Sequence, residues 1–474
     1  MLKKLPRYKA HISRRGNHRA LVSVAAAGTL LSTALSWGAA PAAVASSKTA
    51  TITVAYGSTY VFDTTQLATN FWTNLQKQFD AANPGAKLDL VPIPGSYDDI
   101  INKLSLMYRS GNPPDLAELP TAQIGVWAQS GYLKPLNSFL KSASWWMQFP
   151  AVVRSEGTFG GKVYAVDHGE NTSLMYYNAQ LLAKAGVTVP WHPRNWGDIL
   201  AAAKAVQKHY NNVIPLWLAA GTGSGTNGIL QGGGNLIDGC PVATIYQKSS
   251  SKWVVDSPCL RDVMNFYRQV YKGGLGASVS DLFSPSAVTA PLTLFKQGKL
   301  AIAVGSNYYG GAWQPAVCGP CWPGATKVMR TAPIPTENGQ APGTASTLGG
   351  WDIAMSASTH NAGLAWKAMN MLEDEEFIVD AANWAGWVPP NTKYATAPAY
   401  DRFAPPYQVA AAEVLPDATL TPSQAAYTEW GHAFEVATGD IASNPKSTTV
   451  QDAISALESD ANSSLGPSEV TTIK

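Results

Sequence analysis

Cysteine is sparse in this chain of 474 residues: Cys240, Cys259, Cys318 and Cys321 are all of it. Charge is sparse too, at 14% Asp, Glu, Lys and Arg, where about a quarter is usual. No run of Lys and Arg occurs beyond residue 19, so the rest of the chain lacks the basic footprint that nucleic acid requires. Long apolar runs are missing as well. The stretch 20–37 is apolar but short and rich in Ala, Gly and Ser, which argues against a membrane-spanning helix. The glycine-rich "AAGTGSGTNG" (219–228) is not followed by Gly-Lys-Ser/Thr, which excludes a phosphate-cradling loop of that type.

What is present begins with an export signal. Lys3, Lys4, Arg7, Lys9, Arg14, Arg15 and Arg19 precede the apolar stretch with no acid among them, and "APAAVASS" offers small residues at Ala43 and Ala45. That order predicts a signal peptide over 1–45, cleaved after Ala45. No cysteine stands at the new N-terminus, so the expected product is secreted without a lipid anchor. Cleavage removes seven of the 34 basic residues and no acid, which moves the formal charge from +2 to −5. The remaining chain of about 430 residues exceeds one ordinary core, so two domains are expected.

An even cysteine count in an exported chain predicts disulfides. Of three possible connectivities, Cys240–Cys259 with Cys318–Cys321 closes two short loops and is the expectation. The "CGPC" at 318–321 matches a redox-active motif, but Pro320, Pro323 and Gly324 deny it the helix N-terminus that activates such a thiol.

Periodicity gives the fold class. "TITVAY" (51–56) alternates as a strand, and Leu67, Phe71, Leu75 and Phe79 recur at fourfold spacing as a helix ending before Asn83-Pro84-Gly85. "KLDLVPI" reads as a second strand, "SYDDIINKLSLMYRSG" as a helix stopped at Gly111, and "PPDLAEL" as a third strand. Such alternation predicts an α/β chain with a mostly parallel sheet, whose ligands sit at the carboxyl ends of the strands.

Longer motifs follow in order: "FWTNLQKQFDAANPGAKLDLV", "INKLSLMYRSGNPPDLAEL", "VWAQSGYLKPLNSFL", "GKVYAVDHGENTSLMYYNAQLLAKAGV", "RNWGDILAAAKAV", "LFKQGKLAIAVGSNYYGGAW", "TLGGWDIAM" and "AGWVPPN". In this order the sequence resembles the extracellular solute-binding proteins of ABC importers, in the carbohydrate-binding family that includes maltose-binding protein. The resemblance implies a two-lobe periplasmic-binding-protein-like fold with an interlobe hinge and cleft. The N-terminal lobe is expected to hold 46–168 and 349–395, and the C-terminal lobe 169–348 and 396–474. Chain crossings fall near 166–171 and 349–352, with Gly349-Gly350 as a hinge. It implies a non-catalytic monomer that needs no cofactor or metal and passes a sugar or oligosaccharide to permease subunits.

Sugar recognition combines aromatic faces with carboxylate or amide groups. Fifteen tryptophans follow the signal, of which Trp72, Trp127, Trp196 and Trp366 lie in helix or landmark motifs and read as packing residues. The resemblance puts a stacking aromatic at Tyr308 and Trp351 at the cleft, with Trp387, Trp313, Trp217 and Tyr427 as further candidates. Polar candidates on strand-end loops are Tyr60, Glu118, Gln123 and, at the crossing, His168, Glu170 and Asn171. Polyamine and ferric-ion capture are alternative ligand classes. A secreted glycoside hydrolase would need two facing carboxylates, for which Glu118 and Glu170 are the available pair.

Overall fold

The computed structural model describes residues 49–474 other than 59–64, 96, 225–231, 314–321, 402–406 and 425. The expected signal peptide, Tyr60, Cys318 and Cys321 therefore lie outside the described residues.

Strand β1 (Ala50–Gly57) sets Ile52 and Val54 inward. Helix α1 (Thr65–Ala82) lays Phe71, Trp72, Leu75 and Phe79 along one buried stripe, the helical spacing that covers a sheet face. The chain reverses at Gly85, whose φ of +88° suits glycine. β2 (Ala86–Ile93) then runs parallel to β1 from Ala50 opposite Ala86 to Gly57 opposite Ile93. Next come α2 (Tyr97–Arg109), β3 (Leu116–Pro120), α3 (Thr121–Gln129) and the short α4 (Ala151–Glu156).

The chain then changes sheets. β4 (Ala165–Asn171) and β5 (Ser173–Asn178) are separated by Thr172 alone. Buried Thr172 donates its hydroxyl to the Ala411 carbonyl and its N–H to Asn307 Oδ1. A second set follows: β6 (Ile214–Trp217), α5 (Gly233–Asp238), α6 (Pro258–Lys272), β7 (Leu300–Ser306), α7 (Tyr308–Ala312) and β8 (Met329–Ala332). β9 (Thr347–Met355) returns to the first sheet, and α8 (Ala362–Leu372) and α9 (Glu375–Ala385) pack on α1. β10 (Thr419–Leu420), α10 (Tyr427–Ser443) and α11 (Val450–Leu465) follow.

The first sheet has the order β10-β9-β3-β1-β2, with β4 also on β9, and the second β8-β5-β7-β6. β1, β2 and β3 are parallel, whereas β9 runs antiparallel to both β3 and β4. Each sheet is covered by helices, which gives the two-lobe α/β fold.

Gly350 lies within β9, where a Cβ would fall 2.2 Å from the Gly169 carbonyl oxygen on β4. Close approach of two strands requires glycine there.

Cys240 and Cys259 form a disulfide across 19 residues with their Cα atoms 5.7 Å apart. Both are buried and tie the end of α5 to the start of α6. Thermal unfolding of the Cys240→Ser/Cys259→Ser double mutant should show a loss of about 3 kcal/mol, the unfolded-state constraint for a loop near this size. An unchanged midpoint would contradict that account.

Candidate functional site

Two aromatic side chains from different elements meet beside the sheet crossing, and a third lies within electrostatic reach of one of them. Tyr97 opens α2 just beyond the carboxyl end of β2, and its ring lies 6.0 Å from that of Trp351 on β9, edge to face at 65°. Both are half-buried. Tyr427 opens α10 and is buried. Burial pushes its phenol up, and the nearby charges of Asp238, Tyr97 and Glu435 push it in the same direction.

Polar groups border these rings. Asn171, at the end of β4, pairs with Gly349 on β9. A Cβ on Gly349 would meet Thr421 Oγ1 at 3.4 Å, so the missing side chain leaves Thr421 against the strand. Asp238, last in α5, has its carboxyl pushed well above the usual range by burial. Its Oδ2 makes no hydrogen bond among the described residues. The group draws on both sheets: Tyr97 from the first, Asn171 and Trp351 from the connecting strands, Asp238 and Tyr427 from helices of the second. Aromatic faces beside a carboxylate, an amide and a hydroxyl can engage a polyhydroxylated ring.

Of the residues expected from sequence, Asn171 and Trp351 lie on the paired strands β4 and β9 at the crossing, and Tyr427 is buried at the start of α10 against Trp253. Gln123 is half-buried in the first turn of α3. The others serve elsewhere. Glu118 was expected on a loop but sits inside β3, fully buried, where Oε2 accepts the Gly57 N–H at 2.9 Å and Oε1 lies 3.3 Å from His168 Nε2. Glu170 is also fully buried, among other carboxylates described below.

Trp217 ends β6 with 1% of its surface exposed, and Trp313 donates its indole N–H to the Leu292 carbonyl among Tyr176, Phe295 and Tyr407. Trp387 packs on His168 and Trp384. Tyr308 is buried, its hydroxyl bonded to the Val288 carbonyl at 3.2 Å. These four side chains are core residues because the layers over each sheet close on them. The packing tryptophans behave as read: Trp72 stacks on Tyr56 at 4.7 Å, and Trp366 on Phe139 at 5.3 Å.

Tyr97, Thr421 and Asp238 were not anticipated. Tyr97 carried a usable signal, since it follows the carboxyl end of β2 just as the expected loops follow β1 and β3. Thr421 and Asp238 carried none, because only the approach of remote segments makes them neighbours.

Two helix-covered sheets, joined by strands beside which side chains from both gather, define a two-lobed binding protein. The chain belongs to the bacterial extracellular solute-binding protein family, whose model matches residues 63–377. By fold it is similar to the sugar-binding protein MalE of Xanthomonas citri, with a TM-score of 0.72 at 16% identity over 87% of this chain and 96% of that one. It is likewise similar to the cyclic alpha-maltosyl-1,6-maltose binding protein of Arthrobacter globiformis, with a TM-score of 0.70 at 19% identity over 88% and 99%. A curated relative, the sn-glycerol-3-phosphate-binding periplasmic protein UgpB of Rhizobium meliloti, is 24% identical over 139 residues, which is 28% of this chain and 32% of that protein. The matched stretch thus spans about a third of the length of the curated relatives. Among the described residues, no helix is long and apolar enough to cross a membrane.

Proposed function

We propose that this protein is exported after cleavage near Ala45, binds a sugar or oligosaccharide between its lobes, and delivers it to the permease of an ABC importer without catalysing a reaction. The lobes are 46–168 with 349–395, and 169–348 with 396–474. Tyr97 and Trp351 supply apolar faces, Tyr427 belongs to the buried layer beside Trp253, and Asn171, Thr421 and Asp238 supply hydroxyl-binding groups. The edge-to-face contact of half-buried Tyr97 and Trp351, brought from separate elements to the crossing, supports this reading.

A phosphorylated ligand fits less well, because Tyr97, Asn171, Asp238, Trp351, Thr421 and Tyr427 include no Lys or Arg to pair with a phosphate. A glycosidase is disfavoured by the engagement of Glu118 with Gly57 and His168 deep in the sheet. Calorimetry of the mature protein against mono- and oligosaccharides should give saturable binding. Failure across that panel, alongside tight binding of glycerol 3-phosphate, a polyamine or ferric ion, would overturn the sugar assignment. Release of shorter products from an oligosaccharide would overturn the non-catalytic one.

A further inference from the structure

A second group of polar residues lies at the same crossing and is not used by the proposed ligand site. Glu156 ends α4, Asp167 and Glu170 belong to β4, and one carboxylate oxygen from each lies within 4.8 Å of the other two. All three are buried, with Asp167 2% exposed and the glutamates at 0%. A bulge in the β4–β9 ladder skips His168, so that Asp167 stands opposite Asp352, itself 0% exposed. Two acids facing each other across adjacent strands repel, and burial strengthens the repulsion.

No donor from outside the group compensates. Among the described residues Asp167, Glu170 and Asp352 Oδ1 receive no hydrogen bond from a neighbouring N–H or hydroxyl, and Glu170 meets only the carboxyls of Glu156 and Asp167, contacts that require a shared proton or a cation. Thr121 Oγ1 sits 2.9 Å from Glu156 Oε2 and 2.8 Å from Asp352 Oδ2, while accepting the Gly350 N–H at 2.9 Å. A hydroxyl has one proton to donate. It can satisfy one of those carboxylates, and the other contact needs a positive charge or a proton beside it. Arg154 on α4 donates instead to the Phe149 carbonyl, and α3, β4 and β9 carry no Lys or Arg.

From this geometry we propose that Glu156, Asp167 and Glu170, with Asp352 alongside, bind a calcium ion. An all-oxygen set with several negative charges selects a hard cation. Calcium accepts six to eight oxygens at about 2.3–2.6 Å in flexible geometry, so ligand oxygens on opposite sides of it are up to roughly 5 Å apart. The spread of at most 4.8 Å in this group suits that separation. Magnesium prefers to retain several waters, and a group buried this completely offers them little room. Thr121 acts as a positioning residue, holding Glu156 and Asp352 by its hydroxyl. Because Glu170 pairs with Gly350 and the next residue, Asn171, pairs with Gly349, the ion would fasten the two connecting strands to each other and to α4.

The test uses mature full-length protein, treated with EGTA, desalted and free of sugar. Calcium titrated by calorimetry should bind at one ion per chain with micromolar or tighter affinity, and should raise the melting temperature by several degrees. Asp167→Asn and Glu170→Gln keep shape and remove charge, and each should weaken calcium binding at least tenfold while circular dichroism remains native. Should either variant fail to fold, the wild-type titration still decides. Absence of calcium binding by the wild type, preference for magnesium, or unchanged affinity in both variants would overturn the proposal. No sugar enters the measurement, so its failure and that of the sugar assignment are distinguishable.

Discussion

Trp351→Ala should weaken sugar binding by roughly thirtyfold in calorimetry, with little change in fold. Trp351 is half-buried at the crossing and meets Tyr97 edge to face at 6.0 Å, so one part of its indole is held while the remainder can meet a ligand. Losing the burial of one aromatic face costs about 2 kcal/mol, and every 1.4 kcal/mol or so is tenfold in affinity. Trp351→Phe, which retains a flat face, should recover most of the loss. Trp366→Ala provides the contrast. Trp366 is also half-buried, but it stacks on Phe139 and Trp145, so its removal should lower the melting temperature and leave sugar affinity unchanged. Equal affinities for wild type and Trp351→Ala would remove Trp351 from the site.

The second large effect concerns pH. With divalent ions chelated, the protein should lose stability as pH rises from about 5 to 8, opposite to the usual behaviour of paired surface carboxylates. Burial first, then the charge of Asp352, pushes the Glu156 carboxyl up to about 8, and burial pushes Asp352 up to about 7. Burial raises Asp167, Glu170 and Glu373 as well, assisted by neighbouring carboxylates. The folded chain therefore holds protons that the unfolded chain has released above about pH 4.5. Stability from this source is fully present below that pH and disappears as pH passes through the folded values near 7 and 8.

The loss should amount to a few kcal/mol, about 1.4 kcal/mol for every tenfold by which folding strengthens proton binding at one of these carboxyls. Thermal melts across pH 5–9 in EGTA would measure it. Asp352→Asn should flatten the profile, because it removes both a buried acid and its repulsion of Glu156, Asp167 and Glu170. A melting temperature that rises steadily to pH 8 in the wild type would contradict the assignment of protons to this cluster.

Much of the frame was legible residue by residue. The fourfold spacing of Phe71, Leu75 and Phe79 is a property of neighbours on one helix, and the alternation of 51–56 is a property of one strand. The order of the longer motifs carried the two-lobe fold. Trp351 and Asn171 could be placed at the crossing from sequence because each lies within or beside a landmark motif there.

The acids show where local pattern ends. Nothing near Glu118 in the chain indicates that its partners are Gly57, 61 residues earlier, and a histidine on β4. Likewise Asp167 and Asp352 stand opposite each other only because a bulge shifts the β4–β9 ladder. The sequence by itself determined the elements, their order and the family, since these depend on periodicity and on turn residues close along the chain. Only the tertiary structure decided which aromatics face the crossing, which close a core layer, and which carboxylates are buried together, because desolvation and repulsion act through space between segments the sequence keeps far apart.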